Sequence, residues 1–174
     1  MEQKPNIGTS IAGITFKSPV IVSSSEITSS PWLVDRLKER NIGGIVTKTF
    51  AGKAQNRIRL HVQMLAAWER EGLDFITAHN APGGIIIDTE REEPFGAPVI
   101  GGYVPGRVFL PYSLARVVRI RKASSIPVVG VGGIYGYSDA LQYLLCGCPL
   151  VGVGSALYFK GPEVLDQICD GLLN

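Results

Sequence analysis

The sequence predicts an α/β fold with a parallel sheet. Short apolar runs rich in Val and Ile alternate with segments of helical period along the 174 residues, which is the pattern of repeated βα units. Polar residues and glycines gather directly after the apolar runs. They therefore fall at the carboxyl ends of the predicted strands, the face on which α/β barrels carry their ligands.

The predicted elements follow in the order strand, helix, strand. Residues 7–16 alternate loosely and predict a hairpin, with Ile11, Ile14 and Phe16 pointing inward. The further predicted strands are 20–22, 45–46, 75–78, 85–87, 127–131 and 150–153. The predicted helices are 31–40, 61–71, 111–122, 139–146 with Ser138 as its N-cap, and 162–172. Residues 50–60 and 88–98 are polar or rich in Pro and Gly and predict loops.

Composition and charge restrict the class of protein. A chain with 45% hydrophobic and 18% charged residues is globular, and a net charge of +2 is too small for a dedicated nucleic-acid binder. No apolar run approaches the ~20 residues of a membrane span, and the N-terminus lacks the apolar core of a signal peptide. Three cysteines predict no disulfide framework and no zinc site, and we expect all three to be buried. We therefore expect a cytoplasmic protein.

Two glycine loops carry the strongest local signal. Gly130–Ile134 reads GVGGI and Gly152–Ser155 reads GVGS, and each ends a predicted strand and precedes a predicted helix. Glycine frees backbone amides to point into one cavity, and a helix N-terminus adds positive potential. Two such loops on consecutive strands indicate the phosphate site that barrels build after their last two strands. The alternative interpretation is a pair of tight turns.

Several motifs follow one another in the order typical of one family. They are Pro19–Ser25, Val46–Thr49, the strand end at Asn80, Gly101-Gly102 and the paired glycine loops. In this order the sequence resembles the dihydroorotate dehydrogenases and the related flavin half of dihydropyrimidine dehydrogenase. The resemblance implies a (β/α)8 barrel that carries flavin mononucleotide (FMN). It implies an oxidoreductase that converts dihydroorotate to orotate in pyrimidine biosynthesis, by hydride transfer to FMN.

The resemblance also implies roles for individual residues. Those expected to contact the flavin, its phosphate or the pyrimidine are Ser23 and Ser24 beside the flavin, Lys48 and Thr49 near the ring and the substrate, Asn80 on the pyrimidine, and Gly101, Gly102, Gly132, Gly133, Gly154 and Ser155 around the phosphate. The side-chain chemistry agrees. A Lys can stabilise negative charge on a reduced ring, and an Asn offers the donor and acceptor that an imide edge requires. A surface ion pair is the alternative for Lys48, and a turn-forming role is the alternative for Asn80.

The sequence departs from the family pattern in three ways. Ser25 stands where the family has Gly, and Ala81 stands where it has a hydroxyl residue. The third departure is length, because an eight-unit barrel typically has ~250 residues. Only 31 positions lie between Lys48 and Asn80, where the family has several βα units and the loop with its Cys or Ser base. Residues 1–174 therefore predict one domain that holds the first two and last three or so βα units, with a discontinuity near 60–61.

Three explanations of the short interval stay open. The sequence omits part of a longer protein, the chain is a deletion, or it is a compact relative. An open sheet leaves two exposed edges, so we expect a homo-oligomer unless the missing part covers them. The catalytic base stays unassigned. No cysteine cluster is present for an iron–sulfur centre, so any such centre belongs to an electron-transfer partner subunit. Two alternatives to the enzyme are a barrel for another phosphorylated ligand and a truncated scaffold or subunit without turnover.

Overall fold

The computed structural model describes residues 7–23, 36–37, 40–46, 65, 69–70, 72–95 and 102–174. The strands among these residues are β1 (Thr9–Ile11), β2 (Ile14–Phe16), β3 (Val20–Val22), β4 (Gly44–Ile45), β5 (Ile76–Ala78), β6 (Gly83–Gly84), β7 (Ile87–Asp88), β8 (Glu93–Pro94), β9 (Gly102–Tyr103), β10 (Val128–Val131) and β11 (Leu150–Val153). The helices whose bounds are described are α1 (Leu110–Ala123), α2 (Tyr137–Leu145), α3 (Ser155–Lys160) and α4 (Glu163–Leu173), and a 3₁₀ turn at Arg107–Phe109 precedes α1.

Five of these strands form one parallel sheet in the order β4-β3-β11-β10-β5. The last strand of the chain, β11, therefore pairs with the first strand of the sheet, β3, with Val153 opposite Val22. A (β/α)8 barrel closes in this way, by pairing its last strand with its first. The sheet is thus an arc of a barrel built from its first two and last three strands, which confirms the predicted fold class. The outer strands of the arc are β4 and β5.

The three central strands of the arc, β3, β10 and β11, are apolar on both faces, as expected for a parallel sheet covered on both sides. On the outer face, Val22, Val128 and Val153 are fully buried in the main core, together with residues of α1, α2 and α4. On the inner face, Ile21 and Leu150 belong to a smaller cluster that also contains Ile11, Val129 and part of Phe16.

The hairpin β1–β2 lies beneath this inner face and is confirmed as predicted, with Thr9 paired to Phe16. Ile11 is buried and Phe16 is half-buried. The expectation for Ile14 is wrong, since 56% of this residue is exposed. Ile14 pairs with Ile11 at the tip of a two-stranded ribbon, where no second layer built from the described residues covers it.

Three local expectations need correction. Residues 85–87 are not a buried strand, because Ile86 is 74% exposed and only Ile87 enters a strand, the β7–β8 hairpin. The 88–98 segment predicted as a loop therefore contains a strand of this hairpin. Ser138 is not an N-cap, because α2 begins at Tyr137 after the extended Gly136. The expectation for residues 85–87 was wrong because a run of three apolar residues does not distinguish a sheet strand from an exposed hairpin.

The C-terminal segment holds two helices where the sequence predicted one. Gly161 ends α3 with a φ of +72°, and α4 begins two residues later. This backbone conformation favours glycine and breaks the helical path. Cys148 and Cys169 are buried as expected, but Cys146 is only half-buried at the end of α2. None of the helices in the described part of the chain is long and apolar enough to cross a membrane.

Candidate functional site

The predicted ligand residues gather where the central strands end. Because the five strands run parallel, their carboxyl ends lie along one edge of the arc, here called the carboxyl edge. Six of the predicted ligand residues directly follow these strands or come next but one: they are, in sheet order, Ser23, Gly154, Ser155, Gly132, Gly133 and Asn80. Four strands of the arc, β3, β11, β10 and β5, therefore each carry predicted ligand residues at this edge.

Five further positions were predicted to contact the ligand. Ser24, Lys48, Thr49 and Gly101 lie outside the described residues. Gly102 belongs to β9, which pairs with β6 in a separate two-stranded sheet.

Ser23 links the first strand of the sheet, β3, to the last strand, β11, at the carboxyl edge. Its N–H donates a hydrogen bond of 2.9 Å to the carbonyl of Val153. Gly152 lies beside it, and a Cβ on Gly152 would stand 2.8 Å from the Val131 side chain and 3.3 Å from Ser23. A Cβ on Gly154 would meet only Ser23, at 3.6 Å, among the described residues. Because Gly154 has no side chain, a ligand group can approach its backbone closely.

The loop after β10 needs both of its glycines. Gly132 and Gly133 have φ angles of +127° and +73°, conformations that L side chains rarely adopt. A Cβ on Gly133 would stand 2.5 Å from the amide nitrogen of Leu110, and one on Gly132 would overlap the Ser113 hydroxyl. The first turns of α1 therefore pack directly against this loop.

Three side chains hold the loop between β10 and α2 in place. The Tyr143 hydroxyl donates a hydrogen bond of 2.7 Å to the Gly132 carbonyl. Burial raises the pKa of Tyr143 well above its usual range, so this donor keeps its proton at neutral pH. Asp139 accepts the Tyr135 N–H at 3.0 Å, and Lys160 donates to the Tyr135 carbonyl at 3.0 Å. A loop fixed at both ends presents its amides without reorganisation.

Two amides of the glycine loops are available to an anion. Among the described residues, neither the Gly133 N–H nor the Ser155 N–H has a hydrogen-bond acceptor. An unpaired amide next to an open surface is costly unless a ligand or water accepts its hydrogen bond. These two amides follow neighbouring strands, β10 and β11. Amides at the ends of neighbouring strands can together bind a group with several acceptor oxygens, such as a phosphate.

Asn80 is exposed just beyond β5. Its Oδ1 accepts the Ala81 N–H at 3.0 Å, so part of its hydrogen-bonding capacity serves the local turn. The Nδ2 amide group is left as a donor for a ligand. This geometry is compatible with both interpretations of the residue, turn former and ligand contact.

His79 is turned toward α1. Its Nε2 lies 2.9 Å from the Ser113 hydroxyl, and its ring contacts Tyr112 edge-on with centroids 5.3 Å apart. Nδ1 hydrogen-bonds the Asn80 carbonyl, which can only accept, so Nδ1 carries the proton and Nε2 accepts from Ser113. Burial lowers the pKa of His79, and the Arg116 charge lowers it further. His79 is therefore a neutral residue of the helix contact.

The residues that fix the loop were not identified from the sequence. Tyr143 and Asp139 lie in the predicted helix 139–146, and Lys160 lies outside the predicted helices. The spacing of Asp139 and Tyr143 marks them as one face of α2. Nothing in the sequence indicates that this face contacts the glycine loop.

A family model described as dihydroorotate dehydrogenase matches residues 55–174. The chain belongs to the dihydroorotate dehydrogenase family. The matched range contains β5, β10 and β11 and both glycine loops. Membership confirms the family resemblance of the sequence and agrees with the barrel-type arc.

Three curated relatives are similar to this chain over part of its length. The dihydroorotate dehydrogenase B (NAD(+)) catalytic subunit of Trichlorobacter lovleyi is 35% identical over 125 residues, which cover 72% of this chain and 40% of the relative. The subunit of the same name from Pyrococcus horikoshii is 36% identical over 107 residues, 62% of this chain and 35% of the relative. The one from Bacteroides fragilis is 33% identical over 125 residues, 72% and 41%. The chain thus spans about two fifths of the length of these members of the dihydroorotate dehydrogenase family.

Proposed function

We propose that this chain is the FMN-binding part of a dihydroorotate dehydrogenase, which oxidises dihydroorotate to orotate in pyrimidine biosynthesis. Membership of the family implies a flavin. One observation supports FMN in particular: Gly133 and Ser155, which follow neighbouring strands, each have an N–H without an acceptor among the described residues. A flavin that ends in a phosphate makes use of such a site, whereas riboflavin does not.

The phosphate would be bound by backbone amides of the two glycine loops. Gly132-Gly133 and Gly154-Ser155 would form the two sides of the cradle, and Gly101 and Gly102 would extend it. The Tyr143 hydroxyl keeps the Gly132 carbonyl turned into the protein, so that carbonyl does not oppose the anion. Because a Cβ at Gly133 would overlap α1, this loop tolerates no side chain.

Other residues would serve the ring and the substrate. Ser23 and Ser24 would border the flavin, and Lys48 and Thr49 would lie near the ring and the pyrimidine, where the ammonium group stabilises negative charge. Asn80 would donate from Nδ2 to a pyrimidine carbonyl. When bound, FMN supplies the two-electron acceptor for the hydride that leaves C6 of dihydroorotate. The base that removes the C5 proton is not assigned to this chain.

We further propose a discontinuity near residues 60–61. The strands on either side of it, β4 and β5, are the two outer strands of the arc, so an insertion there would extend both edges and close the barrel. An arc without it has two unpaired edges, which favours association with further copies. The relatives are named catalytic subunits, which supports an electron-transfer partner subunit. A cytoplasmic location agrees with a small-molecule substrate of this kind. If part of a longer protein is missing, the intact mass of the natural protein will exceed 18.7 kDa.

A specific observation favours a second candidate, a subunit that binds flavin without turnover. The chain spans about two fifths of the length of its relatives. In the described part of the carboxyl edge the only histidine, His79, is hydrogen-bonded to Ser113. Anaerobic addition of dihydroorotate to the FMN-loaded chain, with a dye acceptor, distinguishes the two. With the enzyme, dihydroorotate bleaches the flavin absorbance until the dye reoxidises the flavin and is itself reduced. A subunit without turnover retains oxidised flavin.

A further inference from the structure

An ion pair lies directly behind the loop between β10 and α2. Asp139, in the first turn of α2, is buried, and its Oδ2 accepts the Tyr135 N–H at 3.0 Å. Its Oδ1 accepts a hydrogen bond of 3.2 Å from Nη2 of Arg107. Arg107 belongs to the 3₁₀ turn that leads into α1, and 70% of its side chain is exposed. A buried carboxylate thus fixes the loop, and one exposed guanidinium neutralises it.

The carboxylate is close to the amides of the cradle. Tyr135 follows Gly133 by two residues, and consecutive Cα atoms are about 3.8 Å apart, so the Asp139 carboxylate lies within about 10 Å of the Gly133 N–H. Among the described residues, Lys160 also brings a positive charge to this stretch of backbone, through its bond to the Tyr135 carbonyl. A bound phosphate carries about two negative charges at neutral pH. An uncompensated carboxylate at this distance, shielded from water, would repel it.

We infer that Arg107 is a positioning residue for the phosphate of the flavin: it cancels the charge of Asp139, so that a buried carboxylate can hold the loop without repelling the phosphate. The inference rests on the proposed function, since it concerns the same cradle. It assigns Arg107 no contact with the flavin. Its effect is electrostatic and is specific for the anionic end of the ligand.

Four variants of the full chain test this role: R107Q, R107K, D139N and the double variant R107Q/D139N. Each is titrated with FMN and with riboflavin at low and at high salt, with flavin fluorescence as the readout. R107Q weakens FMN binding about tenfold at low salt and leaves riboflavin binding unchanged. R107K keeps the charge and stays within about twofold of the parent chain. The differences shrink at high salt.

Substitution of Asp139 is expected to change the FMN affinity in the opposite direction. In D139N the side-chain oxygen still accepts the Tyr135 N–H, but the side chain carries no charge. D139N therefore binds FMN more tightly than the parent chain. R107Q/D139N returns FMN affinity close to that of the parent. A substitution that merely damages the loop weakens binding, so tighter binding by D139N tests the inference even if R107Q fails to fold.

The possible outcomes distinguish the charge role of Arg107 from the proposed function. Equal loss of FMN and riboflavin binding in R107Q, or weaker FMN binding in D139N, overturns the charge role. A parent chain that prefers FMN to riboflavin, with variants that leave this preference unchanged, overturns the charge role alone. A parent chain that binds neither flavin overturns the proposed function, and the inference with it.

Discussion

Gly133 lies against the start of α1 so closely that a Cβ on it would stand 2.5 Å from the amide nitrogen of Leu110. The contact is with backbone, which cannot rotate away as a side chain can. The glycine also has a φ of +73°. Helix α1 and the Gly132-Gly133 loop therefore pack closely against each other, and the position of the loop depends on the absence of a side chain at Gly133.

Gly133→Ala is therefore expected to unfold more easily and to lose flavin affinity. Overlap with the Leu110 backbone and a left-handed φ together cost about 1–3 kcal/mol in the free energy of unfolding. Urea denaturation measures this change. Gly136→Ala is the matched control, since Gly136 is extended and a Cβ there meets nothing within 4 Å. Equal loss of stability in both variants would contradict this account of the loop.

Tyr143→Phe removes the donor to the Gly132 carbonyl and keeps the ring that fills the space beside Gly130. Loss of one buried hydrogen bond reduces the free energy of unfolding by about 1 kcal/mol. FMN affinity falls as well, because Gly132 is no longer held. The exposed Tyr137 on the same helix serves as control, and Tyr137→Phe stays within about 0.5 kcal/mol of the parent. An unchanged FMN affinity in Tyr143→Phe would show that the bond does not position the loop.

His79 makes stability depend on pH near neutrality. Burial lowers its pKa in the folded chain below the ordinary value of about 6.5, so the unfolded chain binds this proton more readily. The contribution of the neutral imidazole is complete above about pH 6.5 and is lost as the pH falls through the lowered folded pKa. Thermal unfolding between about pH 7.5 and about pH 5.5 should show stability falling toward acid, with a smaller change in His79→Gln. A parent chain more stable at the acid end would refute this.

Arg40 joins the segment before β4 to the last helix. Its guanidinium bonds Asp166 and lies 3.0 Å from Glu163, and only 17% of the side chain is exposed. Arg40→Ala is expected to reduce the free energy of unfolding by about 1–2 kcal/mol in a urea titration, because it removes packing as well as charge. Arg36 reaches Glu163 only at 3.7 Å and is 57% exposed, so Arg36→Ala should change stability by less than about 0.5 kcal/mol. Similar losses in both variants would be inconsistent with this difference.

The sequence was informative where the signal is local. Continuous apolar runs predict the strands β3, β10 and β11, and glycine pairs at their ends predict the loops, since both depend on neighbouring residues only. The contacts that fix the loop depend on tertiary packing. Arg107 and Asp139 are 32 residues apart in the chain, and no periodicity links them. The closure of β11 onto β3 likewise follows from the family resemblance and not from either strand.

The most direct test of the central claim, a phosphate cradle for FMN at the carboxyl edge, is a comparison of FMN and riboflavin affinities. The two ligands share the ring and the ribityl chain and differ only in the phosphate. Titration of the full chain followed by flavin fluorescence should give an FMN affinity at least about tenfold higher than that for riboflavin. Equal affinities, or no binding of FMN, would contradict the claim.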